Sequence, residues 1–303
     1  MAKQERVLIC IPSYNAEDSI AETLKSALKQ SGDFRILVVD NCSTDKTAQK
    51  VEDIRSVPAN AGKIEFVANA TNIGRIPNWN KCLEFFLSSG SDYLKFLFTG
   101  DSLHADCIDT LVSAFKRHGE ELGVVAAGYN VTEGGVQKKE KKFSEDRYLT
   151  SKEGLRLFAR EGKWVGAPLS CMFSRKAIRN SRFNEDFDFT SDWRFYIDIV
   201  SRTDSLCINK TIGDFSALQR KHLQKYRATI YAKVEEWHSR YYALAKLKTS
   251  IPAIEVNQLT EFVNKDGFRI LILSLPLIDL LSVLAYKIRK SLSILPSRIG
   301  RAI

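Results

Sequence analysis

RVLICIPSYNAEDSIAETLKSALKQSGDFRILVVDNCSTD, residues 6–45, carries the pattern from which the fold is read. VLICI at 7–11 and ILVV at 36–39 are unbroken apolar runs of strand length. Between them Ile20, Leu24, Ala27 and Leu28 recur at helical spacing. The alternation continues with IEFV at 64–67, then Ile76, Trp79, Leu83 and Phe86 at helical spacing, then YLKFLF at 93–98. Apolar strands separated by amphipathic helices imply a strand layer buried on both faces. The expected class is α/β, with a mostly parallel central sheet and helices on both faces.

Downstream, residues 106–117 read as a helix and 124–131 as a further strand. Residues 132–147 are charged and contain paired glycines, which predicts a surface loop or flap. Thr150 and Glu153 have capping-box spacing ahead of a helix through Phe158. Residues 164–173 resume an apolar stretch, and Ile230, Val234, Trp237, Tyr241 and Leu244 mark one face of a helix that packs back onto the domain. The expected organisation is a catalytic α/β domain over 1–225 and a helical extension over 226–303.

The last segment differs in kind. Residues 270–286 are mostly apolar but are interrupted by Ser274, Pro276, Asp279 and Ser282, and Lys287, Arg289, Lys290, Arg298 and Arg301 follow. A spanning helix needs roughly 20 apolar residues without a central acid. Two readings stand: an interfacial helix with a basic tail over 268–303, making peripheral contact with an anionic membrane, or a helix pair packed on the protein's own core.

Over 303 residues the chain is 44% hydrophobic and 27% charged, which supports a packed core rather than wholesale disorder. Its net charge of +9 is compatible with nucleic acid, anionic lipid or phosphorylated ligands. The basic residues concentrate at the C-terminus without a nucleic-acid motif, so no nucleic-acid partner is expected. The six cysteines show neither a CxxC pair nor zinc spacing, and MAKQERVLICIP lacks a signal-peptide core. The expected location is cytoplasmic.

In open α/β sheets ligands bind beyond the carboxyl ends of the strands. There this chain places Pro12-Ser13-Tyr14-Asn15, then Asp40-Asn41-Cys42-Ser43-Thr44-Asp45, then Asn72-Ile73-Gly74-Arg75 with Asn78-Trp79-Asn80, then Thr99-Gly100-Asp101-Ser102. Four successive strand ends with small, polar or acidic residues suit a nucleoside diphosphate. Asp40 can accept from a base or ribose, Arg75 offers a planar fork to a carbonyl or phosphate, and Asp101 is a hard ligand for a divalent cation. One of Ser43, Thr44 and Asp45 is expected to cap the following helix. A nucleotidyltransferase is disfavoured, because no Gly-rich basic loop follows the first strand.

PSYN, VVDNCSTD, NIGRIPNWNKCLE and FLFTGDSLHADCI, followed by WVGAPLSCMFSRKAI, FNEDFDFTSDW and QRKH, resemble the successive blocks of family 2 glycosyltransferases over residues 5 to 222. The resemblance implies a GT-A nucleotide-diphospho-sugar transferase fold. It also implies an inverting transfer that depends on Mn²⁺ or Mg²⁺, from a nucleotide-sugar donor to a saccharide or lipid-linked acceptor in bacterial surface-polysaccharide assembly. It places Pro12, Tyr14, Asp40 and Arg75 around the nucleoside and Asp101 at the metal. Asn15, Asn41, Ser43, Asn80 and Gly100 complete the expected donor site. His222, with Arg220 and Lys221 beside it, is the second metal or diphosphate candidate.

The chain departs from the family pattern at three places. Gly100-Asp101 stands where Asp-Asp is usual, Asn41-Cys42 where Asp-Gly is frequent, and Ser191-Asp192-Trp193 where Glu-Asp precedes an aromatic. An inverting transfer needs a base for the acceptor hydroxyl. Asp192 is the candidate, with Glu185, Asp186 and Asp188 as rivals. The non-enzymatic alternative is a nucleotide-sugar-binding scaffold that has lost turnover with Gly100; donor hydrolysis with a divalent cation separates the two.

Overall fold

The computed structural model describes residues 6–217 and 230–272. β1 (Arg6–Ser13) and β2 (Asp33–Asp40) pair in parallel from Arg6↔Asp33 to Ser13↔Asp40, with α1 (Ile20–Leu28) as the crossover. After α2 (Thr47–Arg55), β3 (Ile64–Ala68) adds parallel to β2. After α3 (Arg75–Ser88), β4 (Tyr93–Phe96) adds parallel to the other side of β1. The order β3-β2-β1-β4 therefore reverses direction beside β1. That switch leaves a crevice beyond the carboxyl ends of the strands, the usual ligand position in such sheets.

Past β4 the sheet becomes mixed. The remaining strands are β5 (Ser102–Leu103), β6 (Leu122–Glu133), β7 (Val136–Lys141), β8 (Arg147–Leu149), β9 (Cys171–Ser174) and β10 (Asp204–Ser216). β9 runs antiparallel between β4 and β6, while β6 and β10 pair in parallel. β5 and β8 join β10 antiparallel, and β7 joins β6 antiparallel. Relative to β1, then, β2, β3, β4, β6 and β10 share one direction, and β5, β7, β8 and β9 oppose it.

β1 shows why the apolar runs are unbroken. Val7, Ile9 and Ile11 enter the core beneath α1 and α4 (Cys107–His118), and Leu8 and Cys10 enter the other core beneath α3. Alternate residues point to opposite faces, so both parities must be apolar. α5 (Ser151–Glu161) starts with the expected capping box: Thr150 accepts from the Glu153 N–H and Glu153 accepts from the Thr150 N–H. The remaining helices are the short α6 (Arg175–Ile178), α7 (Ser191–Val200), α8 (Ile230–Leu247) and α9 (Ala253–Ile272).

Residues 132–147 are not the expected loop. Gly134 and Gly135, at φ 58° and 78°, make the tight turn from β6 into β7. All six residues of β7 are exposed, so no apolar alternation marks it as a strand.

α8 and α9 share the core of the sheet domain. Ala243, Leu244, Leu247 and Leu259 join the cluster containing Leu155, Phe158 and Phe195. The Arg240 guanidinium donates to the Ala159 and Arg160 carbonyls at 2.9 and 2.8 Å, satisfying the C-terminal end of α5. Arg194, buried on α7, sits 3.5 Å from the Tyr242 ring centroid on α8. No described helix is long and apolar enough to cross a membrane. The interfacial segment expected over 268–303 lies outside the described residues from 273 onward.

Candidate active site

A cavity of about 920 Å³ lies beyond the carboxyl ends of the strands. One wall comes from the loops after β1, β2 and β3: Pro12, Ser13, Tyr14, Asn15, Asn41, Asn72 and Arg75. The facing wall comes from β6, β7, the 163–168 segment and the first turn of α7, and includes Tyr129, Lys141, Lys163, Trp164, Asp192 and Trp193.

The first wall is shaped by hydrogen bonds between its own loops. Asp40, at the end of β2, accepts from the Ser43 N–H at 2.8 Å and from the Ser43 hydroxyl at 2.5 Å. Ser43 Oγ accepts from the Asn15 N–H at 2.8 Å, and Asn15 Oδ1 accepts from the Thr44 N–H at 2.9 Å. Asn41 donates to Asn72 Oδ1 at 2.7 Å and accepts from the Ile73 N–H at 3.0 Å. Asn15 and Cys42 have φ of 45° and 63°, the left-handed region where a side chain costs energy. They are the non-glycine residues with positive φ among the described residues, and such strain gathers at functional sites.

Ser13 is a site residue the sequence reading did not single out. Its hydroxyl is buried at the cavity wall and finds no hydrogen-bond partner among the described residues. An unmatched buried hydroxyl is costly, and a ligand polar atom would relieve it. Its sequence signal was only its place at the carboxyl end of β1.

Arg75 opens α3 behind Gly74, whose φ is 92°. Its guanidinium lies 4.9 Å from the Trp79 ring centroid and donates to the Asp188 carbonyl. Arg75 thus ties the first wall to the segment that leads into α7.

On the second wall, Asp192 sits in the first turn of α7 and pairs with Lys163 through Oδ2 at 2.5 Å. Both side chains are largely buried, and Lys163 also lies 5.7 Å from the Tyr196 ring centroid. The pairing fixes the direction of the carboxylate. Glu185, Asp186 and Asp188 do not line the cavity; Glu185 accepts from the Asn80 amide at 3.0 Å instead. The turn before α7 is held from α8. Glu235, almost fully buried, accepts from the Asp188, Phe189 and Thr190 N–H groups at 3.3, 2.8 and 2.9 Å. Neither Lys163 nor Glu235 stands out in the sequence, because each partner is distant in the chain.

Several expected donor residues lie behind the walls rather than in them. Asp40 and Ser43 build the loop described above and do not line the cavity. Asn80 is a brace: it donates to the Phe183 carbonyl at 3.0 Å and accepts from the Phe183 N–H at 2.8 Å. A buried amide must satisfy both ends, and here one backbone segment does so. Gly100 and Asp101 border a separate shallow pocket beside α1. Gly100 has φ 90°, a backbone conformation that favours glycine over a residue with a side chain. Asp45 accepts from the Thr47 N–H at 2.9 Å from one residue before the N-cap of α2; the N-cap itself is Lys46, without a side-chain cap bond, so the cap expected from Ser43, Thr44 or Asp45 is not formed.

Asp101 is buried, and its Oδ1 accepts from the Ser216 N–H at 3.0 Å. No three His, Cys, Asp or Glu side chains converge among the described residues. A single hard carboxylate fits a Mg²⁺-type ion when substrate phosphates and water complete its shell. His222, Arg220 and Lys221 lie outside the described residues.

The family model described as Glycosyl transferase family 2 matches residues 8–182. The chain belongs to this family. Among its curated relatives is the amylovoran biosynthesis glycosyltransferase AmsB of Erwinia amylovora, 30% identical over 132 residues; the match covers 42% of each protein, so this chain spans less than half of that relative. The GT-A fold is shared with S. aureus TarS 1–349 in complex with UDP-GlcNAc, at TM-score 0.65 and 18% identity over 86% of this chain and 72% of that one. It is shared too with the mannosyltransferase PcManGT from Pyrobaculum calidifontis in complex with GDP-Man and Mn²⁺, at TM-score 0.59 and 16% identity over 94% and 81% of the two chains. The matched residues include those of the first wall, whereas Asp192 and Trp193 on the second lie beyond them.

Proposed function

We propose that this chain transfers a sugar from a nucleotide-diphospho-sugar to an acceptor hydroxyl with inversion at the anomeric carbon. The observation that carries the reading is one cavity with two unlike walls: the buried Ser13 hydroxyl and the exposed Arg75 guanidinium on one side, and the oriented carboxylate of Asp192 on the other. In this reading the nucleotide lies against Pro12, Tyr14, Asn15, Asn41 and Arg75, with Asp40 and Ser43 holding their loop. Asp192 takes the proton from the acceptor hydroxyl as that oxygen bonds to the anomeric carbon, and the bond from that carbon to the diphosphate breaks on the opposite face.

By the resemblance Asp101 would hold a divalent cation, with His222 as its second candidate ligand, although Asp101 borders the pocket beside α1 and not the cavity itself. Such a cation would neutralise charge on the departing diphosphate. The acceptor in this reading is a saccharide or lipid-linked glycan in cell-surface polysaccharide assembly at the inner face of the membrane, with 268–303 as the peripheral contact. The amylovoran relative supports the polysaccharide setting, and the sugar-nucleotide complexes of the fold neighbours support a nucleotide-sugar donor.

A panel of UDP- and GDP-sugars, each with and without Mn²⁺ or Mg²⁺, tests it by thermal shift and nucleotide release. A matched donor at a hundred times its Kd should stabilise the chain by about 2.7 kcal/mol. The reading is overturned if no donor produces either stabilisation or release. Stabilisation without release or transfer would favour the scaffold alternative.

A further inference from the structure

The second wall of the cavity has an uneven charge. Lys139, Lys141 and Lys142 project along it from β7 and the residue after it. The acids on the same cavity are Asp192, already paired with Lys163, and Glu236. Glu140, on the opposite face of β7, accepts from the Thr211 hydroxyl at 2.6 Å and pairs with Lys142 at 3.3 Å. Lys139 and Lys141 are two residues apart on one strand face, so their Cα atoms stand roughly 7 Å apart along the wall. Aromatic side chains accompany them: Lys141 lies 5.9 Å from the Tyr129 ring centroid, and Phe143 and Trp164 line the same side.

We propose that this wall binds an acceptor chain that carries anionic groups at intervals, phosphate or carboxylate, so that the terminal hydroxyl reaches Asp192 while the preceding charges lie along Lys139, Lys141 and Lys142. The proposal rests on the transferase reading for the position of the acceptor end. The chemistry is that of exposed ammonium groups meeting anions beside apolar ring faces suited to sugar or polyol carbons. Lysines also guard edge strands against pairing, and β7 pairs only with β6 among the described strands. Edge guarding gives no reason for these lysines to face the cavity rather than Lys138, which does not line it.

The test is direct binding to the full chain without donor, at low and at 0.5 M salt. The probes are a hexameric oligogalacturonate, a hexameric oligo(glycerol phosphate), neutral maltohexaose and a six-nucleotide single-stranded DNA. At least one anionic glycan probe should bind about tenfold tighter than maltohexaose, and the margin should collapse in high salt. Which of the two binds tighter identifies phosphate or carboxylate as the group recognised. Lys139→Gln combined with Lys141→Gln should remove the margin, while Lys138→Gln should keep it; thermal melts confirm that the variants are folded. Equal affinity for all probes, equal loss in Lys138→Gln, or tighter binding of DNA than of either glycan overturns the proposal. Nucleotide-sugar titration of the same samples separates the two readings. Donor binding with indifferent probes sinks this inference alone, whereas selective anionic-glycan binding without any donor binding upholds the lysine wall and sinks the transferase.

Discussion

The two walls of the cavity are built in different ways. The first is made of loops that follow consecutive parallel strands, and its polar atoms are mostly spent on one another, as in the Asp40–Ser43–Asn15 and Asn41–Asn72 bonds. The second is gathered from β6, β7, the 163–168 segment, α7 and, through Glu235, α8. It presents charge: a paired acid and a row of lysines. A wall of interlocked amides and hydroxyls is a rigid mould for a ligand of fixed shape. A wall of ammonium groups and rings tolerates variation along a chain while still requiring a charge. Under the proposed function, the contrast implies that donor recognition and acceptor chemistry can be damaged separately.

Asp192→Asn is the strongest test of that separation. It removes the proposed base while keeping the shape, so transfer should fall about 10²–10⁴-fold with donor affinity unchanged. Nucleotide release kinetics alongside a nucleotide titration measure both; near-normal turnover would hand the role to another group. Glu235→Gln should act in the same direction but less strongly. It keeps one acceptor oxygen and loses the charge that gathers three N–H groups before α7. We expect kcat to fall about tenfold, 1.4 kcal/mol in barrier, with donor Kd held. A change in donor Kd of the same size would show that the walls are coupled through Arg75 and Asp188.

Two changes in the loops that follow the strands address stability rather than chemistry. Gly100→Asp restores the acid usual in the family but places a side chain at φ 90°. It should lower the denaturation free energy by about 1–2 kcal/mol, and an unchanged urea midpoint would remove the backbone explanation for Gly100. Cys42→Gly relieves the left-handed strain at φ 63°, offset by the greater freedom of glycine in the unfolded chain. A gain of at most about 1 kcal/mol is expected, read from the same urea curves. A loss would mean that the contact from Cys42 Sγ to the Ala70 carbonyl, at 3.8 Å, outweighs the strain.

The first half of the chain was readable because its determinants are local. Apolar runs at 7–11 and 36–39, the helical spacing of Ile20, Leu24 and Ala27, and the strand-end blocks each lie within a few residues, and so they announce β1, β2, α1 and the loops between them. The capping box at Thr150 and Glu153 was legible for the same reason. β7 was not, because an exposed strand bears no apolar period and its paired glycines read equally as loop. Asn80 and Gly100 matched a pattern without revealing whether they face a ligand or the protein.

By itself, then, the sequence determined the α/β class, the order of the parallel strands' helices and the set of loops that form the first wall, since periodicity and turn chemistry are properties of neighbouring residues. Only the tertiary structure decided that Lys163 orients Asp192, that Glu235 on α8 holds the turn before it, and that the lysines of β7 face the same cavity. Those pairings join residues 29, 45 and more positions apart, and no local pattern encodes a contact that exists only once the sheet has closed around it.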